Sequence, residues 1–279
     1  MAFWDKISSR GSVEDRRGFI PIAMGGGGLG IGGIALILLL NYLGGGDVTD
    51  VLNQLPAQIP ASQLTSQDFA GADNYEVFAA TVLGSTNDYW SKTFAENNLT
   101  YTPPKLVLFR GGTQGGCGIS SSQAGPHYCP RDNTIYLDES FFDELQARFK
   151  AKGGDVAEAY VIGHEVGHHV QNLLGTIDDV SAGSTSSNQN ELSVKQELQA
   201  DCYSGLWAGS LRDLGVFEPG EIMEALDAAA AIGDDRIQST IEGRITPENW
   251  THGSAEQRVE WFNRGFNSGT LTNCNTFNS

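Results

Sequence analysis

From about Ala72 onward the apolar positions fall mostly at helical spacing, and the polar residues gather on the opposite faces. The row from Asn74 to Asn98 predicts a long first helix. "KLVLFR" (105–110) reads as a strand, because Pro103 and Pro104 end any helix before it. A glycine- and serine-rich loop follows, and "TIYLD" (134–138) predicts a second strand. Helices are predicted from Asp138, which caps "ESFFDELQARF"; over Asp155–Leu174, stopped by Gly175; over Glu191–Leu214; over Glu218–Ile232, with Pro219 inside its start; and over Ala255–Phe266. Ser254 and Gln257 have the spacing of a capping box before the last of these. Residues 176–189 read as a loop. Two short strands followed by a run of helices is an α+β pattern, mainly helical with a small sheet.

The N-terminal end has a different pattern. Gly18–Gly46 contains no charged residue, and Phe19–Leu43 is long enough to span a bilayer. The expected organisation is a cytoplasmic stub (1–18), one transmembrane anchor (19–43), a linker (44–70) rich in Gly, Pro, Gln and Ser, and a single domain (71–279). Lys6, Arg10, Arg16 and Arg17 precede the apolar run, and Asp47 and Asp50 follow it. That asymmetry predicts a single-pass protein of the inner membrane with its C-terminal domain outside the cytoplasm. Bulky residues in "LLNYLGGGD" disfavour a cleavage site, so the anchor is expected to stay.

Composition narrows the function. A chain of 279 residues with 40% hydrophobic residues fills a core, and a net charge of −17 makes nucleic acid a poor partner. The four cysteines form no CxxC pair. In an oxidising compartment they suggest two disulfides, of three possible connectivities. Cys117–Cys129 would close the Gly-rich loop, and Cys202–Cys274 would tie the tail to a helix; this pairing is favoured.

Three of the five histidines lie in "AYVIGHEVGHHVQ". His164 and His168, four apart on a helix, put two imidazoles on one face, where they can grip one zinc ion. Glu165 sits about 100° round, suited to reach a water rather than the metal. Gly167 leaves room beside this row, and His169 lies off it. A catalytic zinc takes a third protein ligand and keeps one open position. In "KQELQADCYSGLWAG", Glu197 and Asp201 are again four apart on an otherwise apolar helix. Glu197 is the expected third ligand. Asp201 would accept the free imidazole N–H of a ligand histidine. His252 in "NWTHGSAEQR", with Tyr203 as the alternative, is the candidate donor to an oxyanion.

These motifs, with "VEDRR", "YCPRDNTIYLD", "ALDAAAAIGDDRIQ", "THGSAEQRVEWFNRGF" and the closing "CNTF", resemble the YpfJ-type family of neutral zinc metallopeptidases, and more broadly the gluzincins. The resemblance implies a zincin-like fold, one zinc per chain on His164, His168 and Glu197, Glu165 as catalytic base, and a peptide or protein as substrate. It also implies that Asn133–Leu137 is an edge strand that pairs with extended substrate. Two other readings remain at this point: a tethered binding module without activity, and a zinc amidase acting on cell-wall peptides. Oligomeric state is not legible.

Overall fold

The computed structural model describes residues 1–17, 73–185, 187–212 and 214–277. Met1–Phe19 and Asp68–Ser279 belong to one compact unit. A four-stranded sheet runs in the order β1 (Val13–Asp15), β2 (Lys105–Phe109), β6 (Thr134–Asp138), β5 (His127–Cys129). β1 and β6 are parallel to β2, and β5 is antiparallel to β6. All five residues of β6 and four of β2 are buried, as a parallel pair covered on both faces requires. A separate hairpin joins β3 (Gly112–Gly115) to β4 (Gly118–Ser121).

Among the described residues the helices are α1 (Asn74–Glu96), α2 (Ser140–Phe149), α3 (Asp155–Leu173), α4 (Thr176–Gly183), α5 (Gln189–Arg212), α6 (Ile222–Ala231), α7 (Asp234–Ile241) and α8 (Ala255–Ser268). The α+β expectation agrees with this architecture. α3 lies at the centre, in contact with α1, α5 and α6, and α8 packs along α5. The α3–α5 contact is close because of two glycines one turn apart. A Cβ at Gly163 would lie 2.7 Å from Ser204 Oγ, and one at Gly167 would lie 2.9 Å from the Ala200 carbonyl oxygen. The space beside Gly167 is therefore filled by the α5 backbone and not left open beside the metal-facing row. The fully buried Trp90 and Trp207 fill the layer between α1 and α5, and Trp207 Nε1 donates to Ser85 Oγ at 2.6 Å.

Both favoured disulfides, Cys117–Cys129 and Cys202–Cys274, are present. Ser254 and Gln257 form the capping box of α8. Other expectations change. β6 is not an edge strand: β2 and β5 flank it, and among the described residues the edge strands are β1 and β5. Asn133, with φ 54°, turns the chain so that residues 127–129 fold back onto β6. α6 starts at Ile222, so Pro219 precedes the helix by a turn. Residues 176–183, expected as loop, form α4.

The largest change is at the N-terminus. Residues 1–17 are not a free stub. Val13, Glu14 and Asp15 pair with Leu106, Val107 and Leu108. Arg17 bridges Asp15, Asp73 and Glu139, each at 2.6 Å, and Trp4 Nε1 donates to Asp155 at 2.8 Å. The anchor expected at 19–43 and the linker at 44–70 lie outside the described residues. Among the described residues no helix is long and apolar enough to cross a membrane.

Candidate metal centre

α3 and α5 carry the site, one helix supplying imidazoles and the other carboxylates. His164 Nε2 lies 3.1 Å from Glu197 Oε2, His168 Nε2 lies 3.3 Å from Glu197 Oε1, and the two Nε2 atoms are 3.1 Å apart. The three donor atoms fall within 4.8 Å of one another. Side-chain exposure of 7% for His164, 13% for His168 and 17% for Glu197 leaves the cluster reachable from one side.

Each histidine is aimed from behind. His164 Nδ1–H donates to Asp201 Oδ1 at 2.8 Å. A carboxylate can only accept, so Nδ1 keeps its hydrogen, and when the ring is neutral the lone pair of His164 is on Nε2, facing the cluster. Asp201 is itself held by Arg258, whose Nε donates to Oδ2 at 2.8 Å and whose second amino nitrogen donates to Oδ1 at 2.9 Å. The Tyr160 hydroxyl also donates to Asp201. Asp201 and Arg258 are essentially inaccessible to solvent, and a pair buried this deeply persists only when both charges are met. His168 Nδ1 lies 2.9 Å from Gln171 Oε1.

The electrostatics follow from this packing. Burial alone would push the His164 imidazole down, but the Asp201 carboxylate overrides it and raises the pKa to about 10. Burial likewise opposes protonation of His168, and Glu197 reverses the direction. Burial would raise Glu197; the facing His168 and His164 hold it well below the usual carboxylate range. Asp201 is lowered against its burial, chiefly by Arg258. An anionic carboxylate facing two imidazoles that present Nε2 is a donor set that fits zinc.

Of the residues singled out in the sequence, His164, His168, Glu197 and Asp201 come together. Glu165 is buried on the same helix, and its carboxylate makes no hydrogen bond or ion pair among the described residues. His252 does not touch the cluster. Its backbone N–H donates to Asp234 Oδ2 at 2.6 Å, and its Nδ1 lies 3.2 Å from Asp234 Oδ1. Its loop lies along α5, where Ser193 Oγ donates to the Thr251 carbonyl at 2.8 Å, one turn before Glu197. Tyr203 is buried edge-on against Trp90. The residues missed are Arg258, Tyr160 and Gln171. Arg258 shares its helical face with Trp261, Phe262 and Gly265, and a cation in an apolar stripe was a readable signal. Gln171 is three residues beyond His168, again on the ligand face.

Two imidazoles of an HExxH helix and a carboxylate of a second helix define the metal centre of the zinc-dependent peptidase class. The family model described as "putative neutral zinc metallopeptidase" matches residues 2–277, and the chain belongs to that family. The uncharacterized protein YpfJ of Escherichia coli (strain K12) is 42% identical over 284 residues, 98% of each chain. The uncharacterized protein Rv2575 of Mycobacterium tuberculosis (strain H37Rv) is 47% identical over 189 residues, 64% of each chain. No solved structure matches the chain.

Proposed function

We propose that the chain is a zinc-dependent endopeptidase holding one zinc ion on His164, His168 and Glu197. The observation that carries this reading is the convergence of three donor atoms within 4.8 Å, with the partner of each histidine already fixing which nitrogen faces inward. Zinc held by these three groups would keep a position for water, lower the pKa of that water towards 7 and polarise the scissile carbonyl.

The chain's own groups supply the rest. Glu165 takes the proton of the attacking water on a carboxylate oxygen and delivers it to the departing amine. Asp201 and Arg258 hold the His164 ring, and Asp201 accepts its Nδ1–H throughout. His252, held by Asp234 and Thr251 through Nδ1, is the donor that reaches the developing oxyanion through Nε2. Removing such a donor costs about 10²–10³ in kcat. A peptide substrate lies along the free edge of β5, since β6 is already paired on both sides. The two disulfides suit an oxidising compartment outside the cytoplasm. The apolar segment 19–43 attaches the protein to a membrane.

The test is digestion of a peptide library by the purified full-length chain, with metal analysis. About one zinc per chain and chelator-sensitive cleavage are expected. Glu165→Ala keeps zinc and loses cleavage, whereas Glu197→Ala loses both. A Glu197→Ala protein that binds zinc normally would overturn the ligand set, and a fully active Glu165→Ala protein the mechanism.

A further inference from the structure

His164 has a carboxylate behind it. His168 has a neutral amide, and the chain of hydrogen bonds behind that amide runs into the C-terminal tail. Gln171 Nε2 donates to the Gln196 backbone carbonyl at 2.7 Å and to Gln199 Oε1 at 3.0 Å. Gln199 Nε2 donates to the Cys274 carbonyl at 3.0 Å. Gln171 is fully buried and Gln199 nearly so.

The direction of this relay is determined at both ends. A backbone carbonyl can only accept, so the amide nitrogen of Gln171 must point at Gln196 and its oxygen at His168. The same argument at the Cys274 carbonyl turns the oxygen of Gln199 toward Gln171. His168 Nδ1 facing an acceptor must then carry a hydrogen, so the neutral ring has its lone pair on Nε2, toward Glu197. The tail is clamped to α5 on both sides of the relay: Cys274 is bonded to Cys202, and Thr276 Oγ1 donates to the Lys195 carbonyl at 2.6 Å.

We infer that Gln171 is a positioning residue for His168, set in turn by Gln199 and the Cys274 carbonyl, so that the C-terminal tail fixes the aim of the second zinc ligand. The inference rests on the proposed zinc site. Removing the acceptor lets the ring turn over and presents N–H to the metal. Outer partners of this kind are worth about 10- to 100-fold in metal affinity.

The experiment compares the full-length chain with Gln171→Met and Gln171→Glu, measuring zinc affinity by competition with a chromogenic chelator and the visible spectrum of the cobalt-substituted protein. Gln171→Met should lower zinc affinity by about 10- to 100-fold and alter the cobalt bands. Gln171→Glu, which restores an acceptor for Nδ1–H but no donor for Gln196, should recover most of the affinity. Equal weakening by both variants would reduce Gln171 to packing and overturn the inference, as would wild-type affinity in Gln171→Met. If Gln171→Met does not fold, Gln199→Met takes its place, with a smaller loss in the same direction; no loss there overturns the inference equally. If the wild-type chain binds no zinc, the proposed function fails separately. Nitrogen-15 NMR of the neutral His168 ring then decides this inference: the Nδ1–H form in wild type, lost in Gln171→Met, supports it, and an unchanged ring sinks it.

Discussion

His169 stands next to a proposed zinc ligand and is chemically its opposite. Its ring is fully buried, with Nε2–H donated to the Thr102 carbonyl at 2.6 Å and Nδ1 facing the Tyr128 hydroxyl at 2.9 Å. Both nitrogens are used to join α3 to the segment before β2 and to β5, so none is left for a metal. The i,i+4 rule separated His168 from His169 in the sequence, but the partners of His169 lie 41 and 67 residues away and no local pattern announces them. Burial, partly offset by the Thr102 carbonyl, pulls the pKa of His169 down to about 4. Between that value and the ordinary 6.5 the unfolded chain binds the proton and the folded chain does not, so stability falls as pH drops through this window. The loss from pH 7 to pH 5 is about 2 kcal/mol. Urea unfolding at the two pH values checks this. His169→Gln, with nothing to protonate, should show a pH dependence smaller by that amount, and an unchanged dependence would refute the assignment.

At the scale of elements, what was legible is what local chemistry determines. α3 was bounded to within one residue by its apolar row and Gly175, and α8 began where its capping box said. α7 was missed: the predicted helix stopped at Ile232, and the eight residues that follow Gly233 carry no apolar row long enough to read as a helix of their own. β1 and β5 are three residues each, too short for alternation to register, and each exists only through its partner strand. Helix-to-helix distance was not legible either. The glycines that set it look like helix breakers until the neighbour is known. A Cβ at Gly265 on α8 would lie 1.9 Å from the Cys202 carbonyl oxygen on α5, and that backbone also carries Asp201 and Glu197. Gly265→Ala should therefore destabilise the fold by about 1–3 kcal/mol or more, and weaken zinc binding with it. Gly183→Ala, where a Cβ meets nothing within 4 Å, is the control and should leave both unchanged. Denaturant midpoints and metal titration on the two variants separate crowding from a general intolerance of alanine.

For the whole molecule, the pairing of β1 with β2 limits how the chain meets a membrane. A single crossing at 19–43 would put residue 17 and residue 73 on opposite faces of the bilayer. The Arg17–Asp73 ion pair and the Val13–Leu106 register require them on the same face. The basic residues that suggest a cytoplasmic flank are also engaged in the fold: Lys6 donates to the Gly215 carbonyl, Arg16 pairs with Glu14 at 2.8 Å, and Arg17 meets three carboxylates. A sequence rule that counts charges near an apolar run cannot see that these charges already have partners in the fold, among them Asp73, Glu139 and the Gly215 carbonyl, 56, 122 and 209 residues away. The expectation is that residues 1–17 and 73–277 share one compartment in the folded protein. Single cysteines placed by Ser8→Cys and Lys92→Cys, both at exposed positions, can be probed in intact cells with a membrane-impermeant maleimide. The two should label together or be protected together. Labelling of Lys92→Cys with protection of Ser8→Cys would restore the single crossing and mean that β1 does not join the sheet in the cell.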